Sequence, residues 1–343
     1  MTAVAVADRA PAQAVSAIVR RNWLVAPWFD LFFIVNAAWP LLLVLQWNDG
    51  FQGRAGLQFW QVYFVTTPHR WITLALVFLD RQRFQQRRAA FLSWLVIIVA
   101  GCAAVRLSTG TLTCLLAVDY VWNAWHFAAQ HHGIYRIYCR LTDMTAGWPV
   151  FVERWSLRLF LLYVTLRVAI ATWSNTTWQP IFDMADWLIP AGPLALLLRD
   201  CVSFQRVSVG RLAYLLSISA LYGSLLWAVH THQPALVLSL TTASAMFHAV
   251  EYLAVVSWSV RQRDESSRHA MGWLGILASQ WLIVLATYLV VLGSAAWFMD
   301  QMWMQAWLFL NVVAAFLHYA YDGLIWRRRP ADGRGRTTIA SAT

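Results

Sequence analysis

The sequence predicts an all-α protein, a polytopic bundle of transmembrane helices, and three observations carry that reading. Of its 343 residues, 60% are hydrophobic and only 12% are charged, whereas soluble domains run near 45–50% and about 25%. The apolar residues fall in runs long enough to cross a bilayer, which takes about 20 residues. The charge is uneven along the chain. The net of +10 comes from arginine, since there is no lysine, and the arginines gather in every second connecting loop.

Ten segments meet the length requirement: roughly 28–47, 57–79, 90–107, 111–135, 155–174, 183–199, 210–230, 234–259, 271–297 and 303–326. The sixth, FDMADWLIPAGPLALLL, carries two aspartates and two prolines and reads as a half-helix or re-entrant segment. Residues 1–27 contain charges and no apolar run of signal-peptide length, so they read as a cytoplasmic tail. Residues 28–326 form the transmembrane domain, and 327–343 read as a basic, disordered tail.

Basic loops include DRQRFQQRR (80–88), RIYCR (136–140), the region from Arg199 to Arg211, RQRDESSRH (261–269) and RRRP (327–330). The loops between them, such as THQP and MDQM, are nearly free of arginine. Arginine-rich loops stay on the cytoplasmic side. This places both termini in the cytoplasm and makes each even-numbered helix run inward, in a multi-pass protein of the cell's inner (plasma) membrane. The basic charge then faces anionic headgroups, and nucleic acid is not an expected partner. The four cysteines, Cys102, Cys114, Cys139 and Cys201, form no CxxC pair and imply no disulfide framework.

Four of the nine histidines, His69, His126, His248 and His318, lie inside four even-numbered segments. An intramembrane histidine is costly unless paired, which makes each a candidate functional residue. Each stands 9 to 13 residues before the first arginine of the next basic cluster. At 1.5 Å per residue, all four fall within ~6 Å of one level. Helical spacing gives each polar company: Glu251 is i+3 from His248, Asp322 i+4 from His318, and Asn123 i−3 and Asp119 i−7 from His126. Pro68, just before His69, should kink its helix and free carbonyls that the protein must satisfy internally. Arg70 needs a counter-charge, for which Glu251 or Asp322 is available; the same acids could instead pair with Arg167, bind metal or relay protons.

The remaining histidines read differently. His131 and His132 complete HFAAQHH near the interface and read as interfacial anchors, and His230, His232 and His269 as solvated. Tyr252, Tyr319 and Tyr321 read as packing residues.

Four imidazoles at one depth point to a metal, with His69, His126, His248 and His318 as ligands. A donor set without cysteine suits iron, copper or zinc. Non-haem Fe(2+) with an open position suits dioxygen and a lipophilic substrate entering from the bilayer, with Glu251 and Asp322 as further ligands or orienting groups and Arg70 and Asn123 steadying the site. Two other readings stand beside it: a haem-binding membrane subunit, and a proton- or ion-coupled transporter with a buried histidine–carboxylate relay.

Four motif segments, TPHRW (67–71), AWHFAAQ (124–130), FHAVEY (247–252) and LHYAYDGLIWRRRP (317–330), occur in that order. Together they resemble the recurring pieces of the bacterial Brp/Blh family of membrane beta-carotene dioxygenases. The resemblance covers these segments and implies an iron-dependent oxygenase whose metal is held by His69, His126, His248 and His318. It points to carotenoid or other isoprenoid substrates. Tyr252 stands where the family's HxxxH-type helix has its second histidine, with Glu251 one position earlier.

Overall fold

The computed structural model describes residues 22–47, 59–141, 149–171, 177–202, 208–262 and 271–326. Among them every regular element is helical and there is no strand. The expected C-terminal tail, nearly all of the N-terminal one and His269 lie outside the described residues. The helices are α1 (Pro27–Ile34), α2 (Trp39–Trp47), α3 (Gln61–Leu79), α4 (Arg81–Gln86), α5 (Arg88–Thr109), α6 (Thr113–Leu141) and α7 (Val150–Ala171). They continue with α8 (Gln179–Leu188), α9 (Ala191–Val202), α10 (Val209–His230), α11 (Pro234–Arg261), α12 (Trp273–Ala278) and α13 (Trp281–Ile325).

By length and composition, six helices could cross a membrane: α3, α5, α8 with α9, α10, α11 and α13. A seventh is added if the α1–α2 pair, bent by 51°, is one span. This is the architecture of a membrane protein. Both α6 and α7 are long enough, at 29 and 22 residues, but polar residues dilute them: Asp119, Asn123, His126 and Gln130 in α6, and Arg154, Arg158 and Arg167 in α7. The sixth expected segment is interrupted, as its composition suggested: α8 stops at Leu188, and Ile189–Pro190 form the turn before α9.

The ninth and tenth expected segments are joined without a loop. At 45 residues, α13 would be about 67 Å long if straight, more than twice the ~30 Å hydrocarbon thickness. It breaks at Trp303, whose φ of −140° and ψ of 51° are not helical. Contacts with α3 show what the break does. Along the first limb, Tyr288 bonds the Pro68 carbonyl, Gly293 abuts Tyr63 and Phe64, and Asp300 accepts from Tyr63. Along the second limb, Trp307 and Asn311 meet Trp71, His318 meets Thr73 and Tyr321 meets Phe78. The two limbs therefore pass α3 in opposite directions, and the chain reverses at Trp303.

The kink expected at Pro68 takes a specific form. Residues Gln61–Thr66 of α3 are wound as a π-helix, the looser winding often found at functional sites. Pro68 has no N–H to give to the preceding turn. Within the same turn the Thr66 hydroxyl donates back to the Gln61 and Val62 carbonyls at 3.1 and 3.3 Å.

Ion-pair networks occupy regions away from the bundle centre. Glu153 bridges Arg136 (2.6 Å) and Arg199 (2.5 Å), while Asp200 holds Arg199 and the fully buried Arg211. Elsewhere the buried Arg167 is held by Asp183 and Asp186, so neither Glu251 nor Asp322 is its partner. His230 donates to or accepts from Asp186 at 3.1 Å and is not simply solvated as expected. Removing one partner of a buried pair leaves a stranded charge, so these networks lock helix ends together.

Gly293 tests the α3–α13 contact. A Cβ there would lie 2.5 Å from the Phe64 ring and 2.9 Å from the Tyr63 carbonyl oxygen. Overpacking of this kind costs about 1–3 kcal/mol. Gly293→Ala should lower the thermal midpoint in detergent, whereas Gly223→Ala, with open space around its Cβ position, should leave it unchanged.

Candidate metal centre

Four helices each contribute one histidine to a single cluster: His69 from α3, His126 from α6, His248 from α11 and His318 from the second limb of α13. All four are buried. Ring centroids lie 5.2 Å apart for His69–His248, 5.1 Å for His69–His318, 4.9 Å for His126–His248 and 4.6 Å for His126–His318. The reversal at Trp303 matters here, because it returns His318 along α3 to the level of His69.

Hydrogen bonds to one ring nitrogen decide what the other can do. His69 Nδ1 lies 2.5 Å from the Thr66 carbonyl, an acceptor only, so Nδ1 carries the proton and Nε2 keeps its lone pair. His318 is set by a longer chain. An ionised Asp322 can only accept, so Tyr252 donates to its Oδ1 at 2.6 Å. The Thr73 hydroxyl then donates to Tyr252 at 2.6 Å and accepts from His318 Nδ1 at 2.6 Å. This assigns the proton to Nδ1 and frees His318 Nε2. That nitrogen lies 3.0 Å from His126 Nε2.

His248 is the least satisfied of the four. It is completely buried, its ring stacks on Phe127 at 3.8 Å, and neither of its nitrogens has a hydrogen-bond partner. A buried polar atom left unpaired costs about 1–3 kcal/mol, and such exceptions call for an explanation.

A metal ion fits this donor set. Ligand nitrogens of His69, His248 and His318 lie within 4.8 Å of one another, as do those of His126 and His318 with an Asp322 oxygen. Two imidazole–metal bonds of ~2.1 Å at a right angle hold their nitrogens about 3.0 Å apart, which matches His126 and His318. Asp322 Oδ2 is 3.9 Å from both Nε2 atoms. Among the described residues it is the one carboxylate grouped with these imidazoles. A haem does not fit, because rings in mutual edge-to-face contact leave no slot for a porphyrin between them.

The other expected site residues divide. Glu251 is buried beside the cluster but is neither a ligand nor the counter-charge of Arg70. Its Oε2 pairs with His131 Nδ1 at 2.9 Å, and Tyr214 donates a short hydrogen bond to its Oε1. Gln130 reaches the same carboxylate at 3.5 Å and the His248 carbonyl at 3.0 Å. Arg70 is partly buried within electrostatic reach of Asp119 and Tyr319, and its Nε has no hydrogen-bond partner. Asn123 acts in that layer, where Tyr319 bonds both Asp119 (2.9 Å) and Asn123 (3.1 Å) while its ring packs 5.0 Å from His126.

His131 and His132 are buried within the bundle and not exposed as anchors. One turn of α6 beyond His126 still lies inside the bundle, and His131 is claimed there by Glu251, Tyr214 and Tyr222. Tyr252 and Tyr319 do more than pack, since both hydroxyls tie site carboxylates. Thr73 escaped notice in the sequence, although it stands four residues after His69, one turn along the same face. Phe127 and Tyr214 offered no such cue, because aromatic residues fill this chain.

The chain matches no family model, no curated protein and no solved structure.

Thr73→Val keeps the shape of the side chain and removes the link between His318 and Tyr252. Losing such an orienting hydrogen bond typically costs 10–100-fold in metal affinity, and a metal-competition titration should find a loss in that range. Glu251→Gln strips the His131 pair and should destabilise the fold by about 3–5 kcal/mol, read as a fall in thermal midpoint in metal-free protein.

Proposed function

We propose that this protein is an integral membrane oxidoreductase with a non-haem iron centre held by His69, His126, His248 and His318. It uses dioxygen to oxidise or cleave a lipophilic substrate of isoprenoid or carotenoid type. The observation that carries the reading is the convergence of four buried imidazoles, two with an identified free Nε2 and one with no partner at all. The motif resemblance to the Brp/Blh family of membrane beta-carotene dioxygenases supports iron over zinc or copper. Ferrous iron bound there would supply dioxygen activation.

The residues of this chain have separable tasks. Thr66 and Thr73 fix the tautomers of His69 and His318 and so keep their Nε2 lone pairs directed inward. Phe127 holds the plane of the His248 ring. Asp322 accepts from Tyr252, anchors the chain that ends on His318, and keeps its second oxygen beside His126 and His318 as a further donor or proton acceptor. The apolar walls of α3, α11 and α13 exclude water and suit both dioxygen and a hydrocarbon substrate. Arg70, near Asp119 and Tyr319, steadies the outer layer. A ten-span arrangement with both termini in the cytoplasm of the inner membrane belongs to the same reading. It is supported by the loop arginines and by the reversal within α13.

A specific observation also favours a proton-relay transporter. Asp322, Tyr252, Thr73 and His318 form one continuous hydrogen-bonded chain, and Glu251, His131, Tyr214 and Tyr222 form another. The two readings part on metal content. Protein purified in detergent should carry one iron per chain and show no Soret band. It should consume dioxygen when given a carotenoid, and His126→Ala should lose iron and activity together. Metal-free, fully folded protein that moves protons or ions in vesicles would replace the oxidoreductase with the transporter.

A further inference from the structure

The packing of α6 against α7 concentrates positive charge around one unsatisfied histidine. His132 is only 5% exposed, and its Nε2 is buried without a hydrogen-bond partner. The charges acting on its ring are three arginines: Arg136 on its own helix, and Arg154 and Arg158 on α7. The two on α7 stand four residues apart and share a face. Arg158 Nε is likewise buried and unpaired.

Glu153, the described acid beside these arginines, is already committed. Glu153 spends one oxygen on Arg136 at 2.6 Å and the other on Arg199 at 2.5 Å. Arg154 and Arg158 therefore add two positive charges that no described carboxylate answers. Like charges and an orphaned imidazole gathered at one spot are unfavourable alone, and an anion with several acceptor oxygens would relieve all three groups.

Apolar surface lies beside the charges. The Arg158 guanidinium sits 5.4 Å over the Trp125 ring, Trp125 packs on Trp155 at 6.2 Å, and Trp155 on Phe151 at 6.1 Å. Trp125 and Phe151 are exposed on the outside of the bundle. Aromatic rings with arginines beside them match the chemistry of a bilayer's headgroup layer.

We propose that His132, Arg154 and Arg158 form a phosphate-binding site for the headgroup of an anionic phospholipid, whose acyl chains lie along Trp125, Trp155 and Phe151. The site is separate from the four-histidine cluster and does not depend on metal there. Its ligand bridges α6 and α7, and so braces the helix that carries His126.

The test uses full-length protein in a neutral detergent, with the thermal midpoint followed during titration by short-chain phosphatidylglycerol, phosphatidylcholine or inorganic phosphate. Phosphatidylglycerol should raise the midpoint. Its half-saturating concentration should rise about fivefold for each arginine removed in Arg154→Gln, Arg158→Gln and the double variant, while Arg158→Lys should stay close to wild type. Arg154 is exposed, so Arg154→Gln tests the site without endangering the fold. A shift produced by inorganic phosphate and lost in the variants would keep the phosphate site and make its donor soluble. Equal shifts from phosphatidylcholine and phosphatidylglycerol, a shift that survives the double variant, or no shift with either anion would overturn the proposal.

Discussion

Everything at the centre of this bundle depends on one constraint: a polar ring atom buried among apolar helices must find its partner inside the protein. An imidazole presents two such atoms. In His69 and His318 one nitrogen is tied off, to the Thr66 carbonyl and to the Thr73 hydroxyl. Tying off one nitrogen fixes the tautomer and leaves the other as a lone pair. In His248 neither nitrogen is satisfied, and that expense is explained if an ion takes what the protein does not supply. The residues around the cluster are then the means by which unpaired nitrogens are kept in place and pointed at each other.

Helix α3 is the element against which the others are registered. Its π-helical start runs up to Pro68, and the Thr66 carbonyl at that loosened turn becomes the anchor of His69. Both limbs of α13 lie along α3, and the close approach at Gly293 seats the first limb. The reversal at Trp303 then sets the register of the second limb, which places His318 opposite Thr73. A shift of one turn there would move the His318 ring by about 5.4 Å, more than its centroid separation from His69 (5.1 Å) or His126 (4.6 Å).

Charge is segregated by task. The strong ion pairs, among Glu153, Asp200, Arg136, Arg199 and Arg211 and between Arg167 and its aspartates, hold helices together away from the cluster. Near the histidines the carboxylates are few and engaged. Glu251 is spent on His131 and Tyr214, and Asp322 gives one oxygen to Tyr252. Among the described carboxylates, the second Asp322 oxygen is the one that faces the clustered imidazoles. This economy keeps the centre rich in neutral nitrogen donors.

The sequence by itself determined the helical class, the membrane character and the identity of the four clustered histidines. Those follow from one-dimensional regularities: apolar run length, alternating loop charge, and a similar offset from each histidine to the next arginine cluster. Same-face spacing also picked out Asp322 and Asn123 correctly as neighbours of the cluster. It left the partner of Glu251 open, because a helical face tells which way a side chain points and not which neighbour reaches it first. His131 looked like an exposed anchor for a similar reason, since distance from an arginine measures depth along a helix but not which helices surround it. Only the tertiary structure could decide those partners, the Thr73–Tyr252–Asp322 chain and the reversal at Trp303. Each depends on residues from different helices meeting at a particular height, and hydrogen bonds of 2.6 Å are set by packing in three dimensions, which no spacing along the chain records.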